Sequence, residues 1–177
     1  MKRPILKWEL VGIAVISSIG ALLHFAFEWS GDSPPVGVFA AVNESVFEHL
    51  KLTYWPALFW AAIEYRLLKN SANNFIIAKT AGLYVMPVAI IVLFYSYTTI
   101  TGTESLIADI AIFVVAIALG QLTSYKILMR ERLSQSLHKS ALAGLVSLGV
   151  IYAVFTFYPP HVPFFQDPIS GTYGIPH

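Results

Sequence analysis

The sequence predicts an all-α fold: a polytopic membrane helix bundle with an interfacial amphipathic helix and a folded-back C-terminal tail. Three observations predict it. Hydrophobic residues make up 56 % and charged residues only 12 % of the 177 positions, against about a quarter charged in an ordinary soluble domain. Apolar runs of near-spanning length recur along the chain, separated by Pro, Gly and polar breaks. When those runs are laid across a bilayer in alternation, ten of the eleven Lys and Arg residues fall on one side, the bias that orients membrane proteins.

The first span is expected over residues 9–29, with Trp8 and Trp29 at the two interfaces. It follows a short basic start but is too long for a signal-peptide core and lacks a small-residue cleavage site, so it reads as a retained helix. Gly31, Asp32, Ser33, Pro34 and Pro35 then enforce a turn. Over residues 38–50 the apolar positions Phe39, Val42, Val46 and Leu50 recur at helical spacing with Glu44, Glu48 and Lys51 off that face, which predicts an amphipathic helix at the membrane surface. A second span is expected over 52–68, entered through a kink at Pro56. Further spans are expected over 75–98, 107–128 and 141–157, and a Pro-rich polar tail over 158–177 completes a single transmembrane domain.

Orientation follows from the basic residues. Lys2, Arg3, Lys7, Arg66, Lys69, Lys79, Lys126, Arg130, Arg132 and Lys139 share one side, which places the N-terminus inside and the C-terminus outside the cytoplasmic membrane. Lys51 alone lies outside, and such an exception calls for a specific partner. A net charge of +1 with basic residues confined to short inner loops gives no footing for nucleic acid. The absence of cysteine excludes disulfides, thiolate catalysis and cysteine-ligated metals.

This topology gathers the chemistry-bearing residues on the outer side. His24 and Glu28 share one face of the first span, Asn43, Glu44, Ser45, Glu48, His49 and Lys51 crowd the start of the next segment, and His161 and Asp167 belong to the tail. Histidine with carboxylate and no cysteine suits zinc or another divalent transition metal at an open site. His24, His49 and His161 are the candidate ligands, with Glu28 or Asp167 as a fourth ligand or a support. Glu44 or Glu48 is the candidate acid/base, and Asn43, Ser45 and Lys51 are candidates for contacting a lipid or small amphipathic ligand. Ser45 and Glu48 also match a capping box. The tail carries Phe164, Phe165 and Tyr173, too aromatic for a disordered segment, and is expected to fold back over the outer pocket.

Three functions are compatible with this pattern. One is a metal-dependent hydrolase or related enzyme acting on a lipid or amphipathic substrate at the outer leaflet. Another is a binding or transport protein for a small ligand, ion or lipid, with a polar path inward through Ser17, Ser18, Tyr84, Gln121 and Ser124. The last is a structural or accessory membrane subunit in which the outer cluster docks the tail.

The blocks from His24 to Gly31, from Ala41 to Lys51, and from Tyr158 through His161 and Gln166-Asp167-Pro168 to Gly174 resemble those of a family of small prokaryotic membrane proteins classed as a domain of unknown function. That resemblance covers nearly the whole chain and implies architecture without chemistry. A looser similarity is to the zinc-dependent membrane hydrolases that include alkaline ceramidases and adiponectin receptors, whose serine-to-histidine spacing of four Ser45 and His49 reproduce. Those proteins have seven spans, a late histidine pair and an early carboxylate and asparagine. Here the late pair is reduced to His161, and Asn43 and Glu44 adjoin Ser45.

Overall fold

A computed structural model describes residues 2–68 and 72–175. Lys69, one of the basic residues used for orientation, and His177, the end of the expected tail, lie outside the described residues. The elements run α1 (Lys2–Trp29), α2 (Pro34–Gly37), α3 (Val46–Leu68), α4 (Phe75–Thr101), α5 (Leu106–Leu128) and α6 (Gln135–Phe157), followed by a 3₁₀ turn at Pro163–Phe165. Among the described residues there is no strand, only an isolated antiparallel bridge between Gln166 and Tyr173 in the tail.

Four helices, α1, α4, α5 and α6, are long and apolar enough to cross a membrane. The expected span at 52–68 falls within α3, a 23-residue helix that carries Glu48, Lys51, Glu64 and Arg66 and is not one of the four. The physical reason is position: α3 buries Phe47, Leu50, Tyr54, Ala57, Trp60, Ala61 and Glu64 among its neighbours. A helix covered by protein need not be apolar all round. It is a single helix through Pro56, the residue at which the sequence predicts a kink.

The long helices alternate in direction. Ile5 of α1, Leu68 of α3, Ala78 of α4 and Leu128 of α5 meet in one cluster, so the start of α1 and α4 lies beside the finish of α3 and α5. At the other end Phe27, Ala40 and Val42 pack with Ala26, Val36 and the tail residue Ile175. We call this the tail end of the bundle. The main core between them is built from Ile16, Tyr54, Trp60, Met86, Ile117 and Tyr152. Helices α4 and α5 come closest where two glycines face each other: a Cβ on Gly82 would stand 2.8 Å from the Gly120 carbonyl oxygen.

The amphipathic helix expected over 38–50 does not form as one element. Only Pro34–Gly37 and the stretch from Val46 onward are helical, and residues 38–45 are irregular. Two side chains divert the backbone. Asn43 Oδ1 accepts from Ser45 N at 2.9 Å, and Glu48 Oε2 reaches back to Val42 N at 3.0 Å, both in place of helical pairing. Ala40, Ala41 and Val42 are thereby buried instead of lying on a surface helix. Ser45 Oγ accepts from Glu48 N at 3.4 Å. One half of the capping box is made, while its reciprocal half goes to Val42.

Candidate metal centre

His24 lies near the end of α1, Glu44 in the irregular segment, and His49 on the first turn of α3. The crossing of α1 and α3 brings the three together, and they form a His/Glu group able to offer three ligand atoms to one cation. Nε2 of His24 and Nε2 of His49 are 3.1 Å apart, and Glu44 Oε2 is 3.5 Å from each. Ligand atoms of a tetrahedral zinc ion with bonds of about 2.0–2.1 Å stand about 3.3 Å apart. An octahedral neighbour pair at the same bond length would be about 2.9 Å apart. The observed triangle is closer to three vertices of a tetrahedron.

The tautomers follow from the hydrogen bonds. His49 Nδ1 is 2.8 Å from the Ser45 carbonyl oxygen, which can only accept, so Nδ1 carries a proton and Nε2 is the atom left to face Glu44 and His24. A backbone carbonyl on the far nitrogen is the usual support of a metal-binding imidazole. That nitrogen, the Glu44 oxygen and His24 Nε2 surround the same small volume. His24 Nδ1 is buried and has no protein partner. Hydrogen bonding to His24 and then to His49 holds the Glu44 carboxyl well below the usual carboxylate range, against the opposing effect of its partial burial. Glu44 is therefore ionised at neutral pH.

The group is partly open to water. The side chains of His24, His49 and Glu44 are 28 %, 33 % and 42 % exposed. A fourth position facing water is what separates a catalytic site from a closed structural one.

The other expected site residues have different surroundings. Lys51, expected at an anionic head group, is 0 % exposed. Its three N–H directions are taken by Glu48 Oε2 at 2.6 Å, the Gly37 carbonyl at 2.7 Å and Thr156 Oγ1 at 2.7 Å, which leaves no donor for a ligand. Glu48, expected as acid/base, is sealed in the same knot at 2 % exposure. Ser45 is buried as the N-terminal cap of α3. Asn43 Nδ2 donates to the Gly174 carbonyl at 2.9 Å and so holds the tail.

His161 does not join His24 and His49; it is exposed and stacks on Tyr173 with ring centroids 4.6 Å apart. Asp167 accepts from Ile169 N and Ser170 Oγ within the tail's own turn. Glu28 is exposed, and its side chain makes no hydrogen bond or ion pair among the described residues. In the tail, Phe165 packs on Phe47 with ring centroids 4.6 Å apart. Gly174, at φ +65, passes where a Cβ would stand 2.9 Å from the Thr156 carbonyl oxygen.

Comparison with known proteins adds one finding. A family described as a family of unknown function (DUF6512) matches residues 1–175. The chain belongs to that family. The match takes in every block on which a resemblance to an uncharacterised family rested, and the DUF6512 assignment carries no activity with it. No curated protein and no solved structure matches the chain.

Sequence reasoning missed a second polar cluster, at the end of the DUF6512 bundle away from the tail. Lys79 Nζ lies 2.7 Å from Glu9 Oε1 and 2.5 Å from Glu64 Oε2. Ser124 Oγ donates to Glu9 Oε1 at 2.9 Å and Gln121 Nε2 to the Glu9 carbonyl at 3.3 Å. Lys79 had been counted as an inner-loop charge, but it is only 4 % exposed on the second turn of α4. Charged residues set within the apolar runs at 9, 64 and 79 were the available signal.

Proposed function

We propose that this protein is an integral membrane metalloprotein in which His24, Glu44 and His49 hold one divalent transition metal, zinc by preference, and that it hydrolyses a lipid or other amphipathic substrate. The supporting observation is the triangle of ligand atoms at 3.1, 3.5 and 3.5 Å, with the far nitrogen of His49 tied to a backbone carbonyl. Two histidines and one carboxylate with a water-filled fourth position is a ligand set of hydrolytic zinc. A metal so held would lower the pKa of its bound water and polarise a carbonyl or phosphoryl oxygen. On the protein side, Ser45 orients His49, and the pairing of Glu48 with Lys51 fixes the start of α3 beneath it.

Substrate class is argued from the neighbourhood. Leu23, the residue before His24, lines an apolar groove of about 470 Å³ with Ile19, Pro35, Val36, Phe39 and Phe59. We assign that groove to an acyl chain, whose head group then lies at the turn of α1 that carries His24. In this reading α3 crosses with the other four long helices, the N-terminus is cytoplasmic, and the metal and the tail face outward in a prokaryotic membrane. The tail acts as a lid pinned by Asn43.

The test begins with metal content. Protein purified in detergent without chelator and dialysed against trace zinc should hold one equivalent per chain, and His49→Ala should lose it. Wild-type protein that retains no stoichiometric metal would remove the proposal. Cobalt-loaded protein should show the intense visible absorption of a tetrahedral ion. A panel of ester- and amide-linked amphiphiles should be cleaved by zinc-loaded protein, stopped by chelator and restored by zinc. Loaded protein that cleaves none of them would leave a metal-binding protein and remove the hydrolase.

A further inference from the structure

The cluster at Glu9, Glu64 and Lys79 has a charge imbalance that no other described side chain corrects. It is enclosed by α1, α3, α4 and α5. Glu9 and Glu64 are 0 % exposed and Lys79 is 4 % exposed. Two carboxylates and one ammonium sum to one negative charge, and α5 supplies only the neutral side chains of Ser124 and Gln121. The other described charges near this end of these helices, Lys7, Arg66 and Lys126, are exposed and make no ion pair with the cluster. An uncompensated charge in such an interior is strongly disfavoured, and a buried group takes up a proton sooner than remain charged without a partner.

The two carboxylates are not equivalent. Glu9 Oε1 accepts from both Lys79 and Ser124. Glu64 is less well held: neither oxygen has a well-aligned donor, although Oε2 is 2.5 Å from Lys79 Nζ and the indole Nε1 of Trp60, four residues earlier on the same face of α3, lies against the carboxyl. The close packing is built in, since a Cβ at Gly12 would stand 2.2 Å from Gln121 Nε2 and 2.4 Å from Trp60 Nε1. A metal cation is poorly suited here because the ammonium of Lys79 already occupies the position between the carboxylates.

We propose that this cluster is a proton-binding site in which the Glu64 carboxyl carries one proton at neutral pH, with Glu9 and Lys79 as the ionised pair beside it. Intramembrane carboxyl groups of this kind are the parts from which proton relays are made. Its placement gives it a possible correspondent: Glu9 and His24 are 15 residues apart on α1, and His49 and Glu64 are 15 residues apart on α3. The same two antiparallel helices therefore carry the proton site and the His24/His49 group about 22 Å apart at 1.5 Å per residue. The proton site does not depend on the metal reading.

Infrared spectroscopy of the full-length protein in lipid nanodiscs, stripped of metal, tests it. Wild-type protein at neutral pH should show the carbonyl stretch of one buried protonated carboxylic acid, slow to shift in heavy water. Glu64→Gln should lose that band, and Lys79→Met should double it because both carboxyl groups then need a proton. Glu44→Gln, at the other end, should leave it unchanged. Absence of the band from wild-type protein, where no substitution can be blamed, would overturn the proposal, as would its persistence in Glu64→Gln.

Discussion

Glu44 and Glu48 are four residues apart and look alike in the sequence, yet they end in opposite environments. Glu44 is 42 % exposed beside two imidazoles. Glu48 is 2 % exposed and bound to Lys51 and the Val42 amide. The difference lies in where α3 begins. With the helix starting at Val46, Glu48 is on its first turn and faces the interior, whereas Glu44 is in the preceding irregular segment and turns toward α1. An open carboxylate beside two imidazole nitrogens can take a ligand. A closed one with its cation and amide already supplied can only hold the fold.

That comparison breaks most visibly at Lys51. Lys51→Ala strands Glu48 as an unpaired buried carboxylate and should destabilise the protein by about 3–5 kcal/mol, read as a lower unfolding midpoint in detergent. If Lys51→Ala instead left stability intact and weakened lipid binding, Lys51 would belong to the open site after all. At the open site the effect should fall on metal and spare the fold. His49→Ala and Glu44→Gln should each lower zinc affinity by at least about a hundredfold, beyond what loss of a supporting residue costs, with little change in melting once both proteins are metal-free. Acidification should release the metal, because protons compete with a cation for the same ligand atoms.

Asn43 connects the open segment to the tail, and its removal should have an intermediate effect. Asn43→Ala loses the bonds to Gly174 and to Ser45 N, worth about 1 kcal/mol each, and should expose the tail to limited proteolysis. His161→Ala should do least, within about 0.5 kcal/mol, and should leave zinc content unchanged. Loss of metal in that variant would return His161 to the ligand set and sharpen the boundary of the site.

Much of the helical architecture was legible because long apolar runs have few alternatives in a bilayer. The runs at 9–29, 75–98, 107–128 and 141–157 correspond to helices α1, α4, α5 and α6. The helix expected at 38–50 was misread because periodicity cannot register a side chain that competes with the backbone, as those of Asn43 and Glu48 do here. His24 and His49 were readable as candidates from residue type alone. Their pairing with Glu44 in preference to Glu28, and without His161, depends on the angle at which α1 meets α3 and on a stacking contact within the tail. Glu9, Glu64 and Lys79 are visible in the sequence as charges, but nothing in the local pattern says that they meet.

Composition and the spacing of apolar runs by themselves determined an all-helical membrane protein, because exposed backbone polar groups have no partner in hydrocarbon except within a helix or a closed barrel. Tertiary structure alone decided which of several equivalent charged residues meet. Ion pairs and ligand sets join positions far apart in the chain over a few ångströms. A local pattern holds no record of such distances.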